Sequence, residues 1–141
     1  MSSKEYNHIK LQSEAVLHFF QELDIDMLDA ILDSNRTYQD FKKEVFIAKP
    51  TQSFNEFMDA GDTCLEMYPG HCNSKSCNFN SKGIRFIGNH SKNFMDLIID
   101  IQNGAVKDIY ECSFFKCMVD FELLNNRIEI DKFIFPFEMN E

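Results

Sequence analysis

Hydrophobic and polar positions divide this chain into a helical first part and a stranded second part. Ile9, Val16, Phe19, Phe20 and Leu23 recur at helical spacing, with Gln12, Glu14, Gln21 and Glu22 turned outward. That pattern predicts an amphipathic helix over residues 9–23. Asp24 and Asp26 interrupt it, and either carboxylate can accept hydrogen bonds from the open N–H groups of a new helix. Met27, Leu28, Ile31 and Leu32 then carry a second helix to a stop at Ser34-Asn35. Residues 36–41, with Tyr38 and Phe41, suit a short strand. Residues 44–49 fit helix or strand equally, because periodicity alone does not decide so short an apolar run. Proline is at home in a first helical turn, and Phe54, Phe57 and Met58 follow Pro50 at i, i+3, i+4 spacing. With Gly61 as a left-handed stop, a third helix is expected over residues 50–60.

After Gly61 the pattern changes to strands. Residues 62–93 read as a strand ending in Tyr68-Pro69-Gly70, a polar loop with His71, Cys72 and Cys77, and a strand returning through Gly83 to Gly88. Residues 94–102 and 105–112 form a hairpin around Asn103-Gly104, the strongest turn signal in the chain. A second hairpin is expected from residues 116–124 and 127–137, joined at Asn125-Asn126, a pair that tolerates positive φ. Ile128 and Ile130 have the opposite parity to Phe133, Phe135 and Phe137, so one buried face requires a bulge near Asp131-Lys132. The expected fold class is α+β, with N-terminal helices packed on a curved antiparallel sheet. No repeat, linker or low-complexity segment divides residues 1–141, so one domain is expected.

Composition narrows the function classes. Hydrophobic residues are 44% and charged residues 26% of 141, which suits a globular core and not a disordered chain. Fifteen phenylalanines without tryptophan imply a core or pocket lined by rings. A net charge of −9 repels phosphate backbones and anionic lipid, so neither nucleic acid nor a membrane is the expected partner. The N-terminal residues lack the apolar segment of a secretion signal, and no apolar run has membrane-spanning length. A cytoplasmic protein with reduced thiols is the expectation, to which the odd count of five cysteines also points.

The order helix, short helix, short strand, third helix and long meander resembles the nuclear transport factor 2-like superfamily, a cystatin-like α+β cone. The segments FFQELDIDMLDAILD, TYQDF and AKPTQSFNEFM carry that resemblance. The stretch YPGHCNSKSCNFNSKGIRFIGNHSKNFMDLIID is also similar to a segment of small bacterial proteins without an assigned activity. The resemblance implies a pocket between helices and sheet, used in some members for catalysis and in others for binding or dimerisation. It therefore implies a fold more than an activity.

Three groups of residues carry candidate chemistry. His71, Cys72 and Cys77, with Cys64 on the preceding strand, are the ligand types a structural zinc ion takes, and Cys112 and Cys117 form a second pair of the same spacing. The alternative is that these cysteines are free thiols and small core residues. A reversible Cys72–Cys77 redox pair would need a cation such as Lys75 to depress a thiol pKa. His18, Tyr38, Asp40, Asp96 and Tyr110 are polar groups beside apolar stripes and are the candidates for lining the pocket. A His–Asp pair among them could do acid–base work on a small apolar substrate. The acidic run Glu22, Asp24, Asp26, Asp29 and Asp33 lacks calcium-loop spacing and reads as caps and a solvated face. The leading expectation is a small binding or interaction module with a cone-shaped pocket for a small apolar ligand, forming a homodimer through its sheet. The rival is an enzyme acting in the same pocket.

Overall fold

A computed structural model describes residues 11–72, 81–111 and 115–132. Helix α1 (Gln12–Gln21) buries Ala15, Val16, Phe19 and Phe20, the stripe expected from its periodicity. Its first turn has no side-chain cap; instead Ser13 donates its backbone N–H to the Gly104 carbonyl at 2.9 Å. Gln12 completes that docking, accepting from Val106 N at 2.6 Å and donating to the Ile31 carbonyl at 3.1 Å. Helix α2 (Ile25–Ile31) starts where the acidic break implies, with Asp24 Oδ1 accepting from Met27 N at 3.1 Å.

The strand expected at residues 36–41 is a small hairpin, β1 (Thr37–Tyr38) paired with β2 (Phe41–Lys42). Gln39 and Asp40 turn between them at φ +53° and +67°, a conformation sequence statistics reserve for Asn-Gly pairs. Tertiary bonds hold it. Gln39 N donates to Asp108 Oδ1 at 2.8 Å, and its side chain bridges the Ile109 carbonyl (2.9 Å) and Lys49 Nζ (2.6 Å). The ambiguous run that follows is helical: one turn, α3 (Lys43–Phe46), leads into α4 (Ala48–Asp59). Pro50 thus lies in the first turn of α4, where its missing N–H leaves no bond unmade, and Gly61 follows at φ +96°.

Among the described residues the sheet has five strands in the order β6-β5-β4-β3-β7, each neighbouring pair antiparallel. They are β3 (Leu65–Cys72), β4 (Ser81–Gly88), β5 (Phe94–Gln102), β6 (Ala105–Tyr110) and β7 (Phe115–Cys117). Pro69 and Gly70 lie inside β3 instead of ending it, since the strand continues to Cys72 and pairs there with β7. Asn103-Gly104 makes the expected turn, both residues at positive φ.

The second hairpin is replaced by a different path. β7 crosses to pair with β3, and the Asn125-Asn126 segment docks on the β4–β5 turn. Asn125 N donates to the Lys92 carbonyl, the Asn126 carbonyl accepts from Phe94 N, and Arg127 makes an isolated parallel bridge to Phe94. At Asp131-Lys132, where a bulge was expected, a 3₁₀ turn (Ile130–Lys132) forms beside α4. The last expected strand residues, 133–137, lie outside the described residues.

The core is the helix side of the sheet, where Phe20 stacks on Phe86 and meets Phe54 edge-on. Alternation puts Leu65 and Met67 of β3, Ile84 and Phe86 of β4, and Met95, Leu97 and Ile99 of β5 on that face.

Candidate functional site

Among the described residues the helices leave the end of β3 and the start of β4 open. A recess of about 450 Å³ opens there, lined by Leu17 of α1, Met67, Tyr68, Pro69 and Gly70 of β3, and Lys82, Gly83 and Ile84 of β4. Its side chains are mostly apolar, and two of the contributors are glycines that add only backbone. Gly70 is required by its other side, because a Cβ there would lie 2.2 Å from the Phe115 ring. Leu17 and Met67 are half-buried and pack on the core, so the floor of the recess continues the hydrophobic interior.

The register sets the polar rim. Lys82 pairs with Ile99 and His71 with Lys116; the β3–β4 ladder ends at the Gly70–Gly83 pair, and His71 and Lys82 are the next positions on the two strands. By alternation from Pro69 and Ile84, His71 and Lys82 lie on the helix side of the sheet, with Lys116 and Ile99 as their outer partners. His71 Nδ1 lies 3.3 Å from Met118 Sδ, and all three basic residues are exposed.

Searches against family models, curated proteins and solved structures give no match to this chain.

The residues expected to line a pocket are dispersed. Tyr38 is buried in the core, its hydroxyl accepting from Asp33 N at 3.0 Å and burial pushing the phenol pKa up. Asp40 is exposed in the β1–β2 turn. Asp96 lies on the sheet face away from the helices, bound by Arg85 through bonds of 2.7 and 2.9 Å and approached by Arg127 at 3.4 Å. Tyr110 sits opposite Ile98 on β6. His18 packs edge-on against Phe19, and its Nε2 is buried without a hydrogen-bond partner among the described residues. No His–Asp pair is formed by these groups, which removes the geometric basis for acid–base work by that set.

Among the zinc candidates, Cys77 and Cys112 lie outside the described residues, as does the side chain of Cys72. Cys64 and His71 are seven residues apart along extended chain, roughly 23 Å at strand rise, too far to share an ion. Cys64 is a free thiol. Among the described residues no group of three or more His, Cys, Asp or Glu side chains is placed to hold a metal.

A polar junction that sequence reasoning missed lies beside the β6 edge of the sheet. Lys49, itself buried, contacts Gln39 Oε1 and Asp131 Oδ1 (3.3 Å), and its ammonium sits 5.1 Å above the Phe41 ring. Glu111 Oε1 accepts from Asp131 N at 3.2 Å. Burial pushes the Glu111 pKa up to about 7; the Asp131 N–H opposes this, and the charges of Asp131 and Glu129 add to it. These residues are distant in sequence and carry no common motif, so only the packing brings them together.

Proposed function

We propose that this protein is a small binding module of the nuclear transport factor 2-like kind, taking a small apolar ligand into the recess between α1 and the β3–β4 end of the sheet. The observation that carries this reading is the recess itself, continuous with the core and walled by Leu17, Met67, Pro69 and Ile84. Its volume falls within the range that small-molecule sites occupy, roughly 300–1,000 Å³. The dispersal of His18, Tyr38, Asp40, Asp96 and Tyr110 supports binding over catalysis. The free thiols of Cys64 and Cys117 agree with a reducing, cytoplasmic setting, and among the described residues no helix is long and apolar enough to cross a membrane.

The neutral dye N-phenylnaphthylamine tests the reading. Saturable fluorescence enhancement at one site per chain is expected, lost in Leu17→Arg, which places a charge in the recess from a half-buried helix position. Enhancement that never saturates, or survives unchanged in a folded Leu17→Arg, would rule the recess out.

A further inference from the structure

The basic row at the mouth of the recess says more about what enters it. The chain carries 23 acidic and 14 basic residues, so basic side chains gathered without carboxylates run against its composition. Lys43, Lys49, Arg85, Lys92 and Arg127 each have an acidic partner. Among the described residues Arg36, Lys42, Lys82, Lys107 and Lys116 make no ion pair, and of these Lys82 and Lys116 lie on the strands at the recess. They flank His71 on three neighbouring strands, about 5 Å apart at the backbone by ordinary strand spacing, on the face that lines the recess. A free lysine ammonium is a flexible point charge, suited to a small anionic head group.

The geometry points to a small amphipathic anion as the ligand: an apolar body seated on Leu17, Met67 and Ile84, with a carboxylate at the Lys82–His71–Lys116 row. This rests on the binding reading of the recess and assigns the ligand's chemical class. A neutral apolar compound would leave the row without a counter-charge, and a cationic one would be repelled by it. The source is a free single-chain carboxylate and not a membrane surface. The net charge of −9 opposes approach to an anionic bilayer, while a small anion passes between the fixed charges to a locally positive mouth.

Competition against N-phenylnaphthylamine at low salt separates the possibilities. Octanoate is expected to displace the dye at about tenfold lower concentration than octanol or octylamine, the effect of two exposed charge contacts of ordinary strength. In the double variant Lys82→Gln, Lys116→Gln octanoate should fall to the octanol value; because the Lys82 stem lines the recess, the readout is the octanoate-to-octanol ratio on the same variant, which cancels any change in dye affinity. Equal displacement by octanoate and octanol, with the dye still bound, overturns the anion assignment and leaves the apolar recess standing. Failure of the dye to bind removes the recess reading itself. Co-sedimentation with phosphatidylglycerol vesicles, abolished by the double variant, would assign the row to a membrane surface and overturn the free-carboxylate source.

Discussion

Asp96 shows how a single residue's role depends on its cross-strand neighbour. Arg85 is its register partner between β4 and β5, so the two side chains meet on one face and form a two-bond clamp. The guanidinium lies over the Phe94 ring at 4.7 Å, and Arg127 approaches the same ring at 5.3 Å. An aspartate whose side chain is only 1% exposed is matched by a cation fixed beside it. Its role is cohesion of the sheet. Asp96→Ala strands the partly buried Arg85 and is expected to lower the unfolding free energy by roughly 3 kcal/mol in urea titrations. Arg127→Ala removes a longer contact from a side chain that is 44% exposed, and the loss should stay below ~1 kcal/mol. Equal losses would mean that Arg127, not Arg85, neutralises the carboxylate. The sequence displayed both Arg85 and Asp96, but eleven positions apart and with no motif joining them; only the register pairs them.

Among the elements, helices were the most legible and the C-terminal strands the least. The stripe of α1, the Asp24 cap and the Gly61 stop depend on neighbours a few residues away, which the sequence lays out directly. The β1–β2 turn is the opposite case. Gln39-Asp40 carries no hairpin signal, yet Asp108, Ile109 and Lys49 hold it through Gln39. The strain at Asp40 is not compensated by any such bond, since its exposed side chain makes no hydrogen bond among the described residues. Asp40→Gly should therefore raise the unfolding free energy by a few tenths to ~1 kcal/mol, relieving a left-handed conformation that an L side chain resists. Thermal unfolding measures it; a lower midpoint would show that the entropy glycine adds to the unfolded chain outweighs the strain. The expected second hairpin failed for a related reason: Asn125 and Asn126 spend their polar groups on Lys92, Asn93 and Phe94 instead of on a turn of their own.

Across the whole molecule, the segment around Asp131 is anchored to α4 by Lys49 and to the end of β6 by Glu111. Glu111 titrates near 7 in the folded state against an ordinary 4.5, so between those values the folded protein holds a proton that the unfolded chain releases. Stability should then fall as pH rises from 4.5 to 7, and the destabilisation should be complete above that window. Glu111→Gln is expected to flatten the decline in melting temperature and to melt higher than the natural protein at pH 8; unchanged pH profiles in the two proteins would refute this. What the sequence determined by itself was the division into helices followed by strands, the α+β class, the left-handed stop at Gly61 and the Asn103-Gly104 turn. Each follows from periodicity or from backbone conformations confined to a few residues. Tertiary structure alone decided that β7 pairs with β3, that Asp96 belongs to Arg85, and that Lys82, His71 and Lys116 share a row at the mouth of an apolar recess. Those placements are set by strand order and register, which depend on contacts between residues far apart in the chain, and no local pattern encodes them.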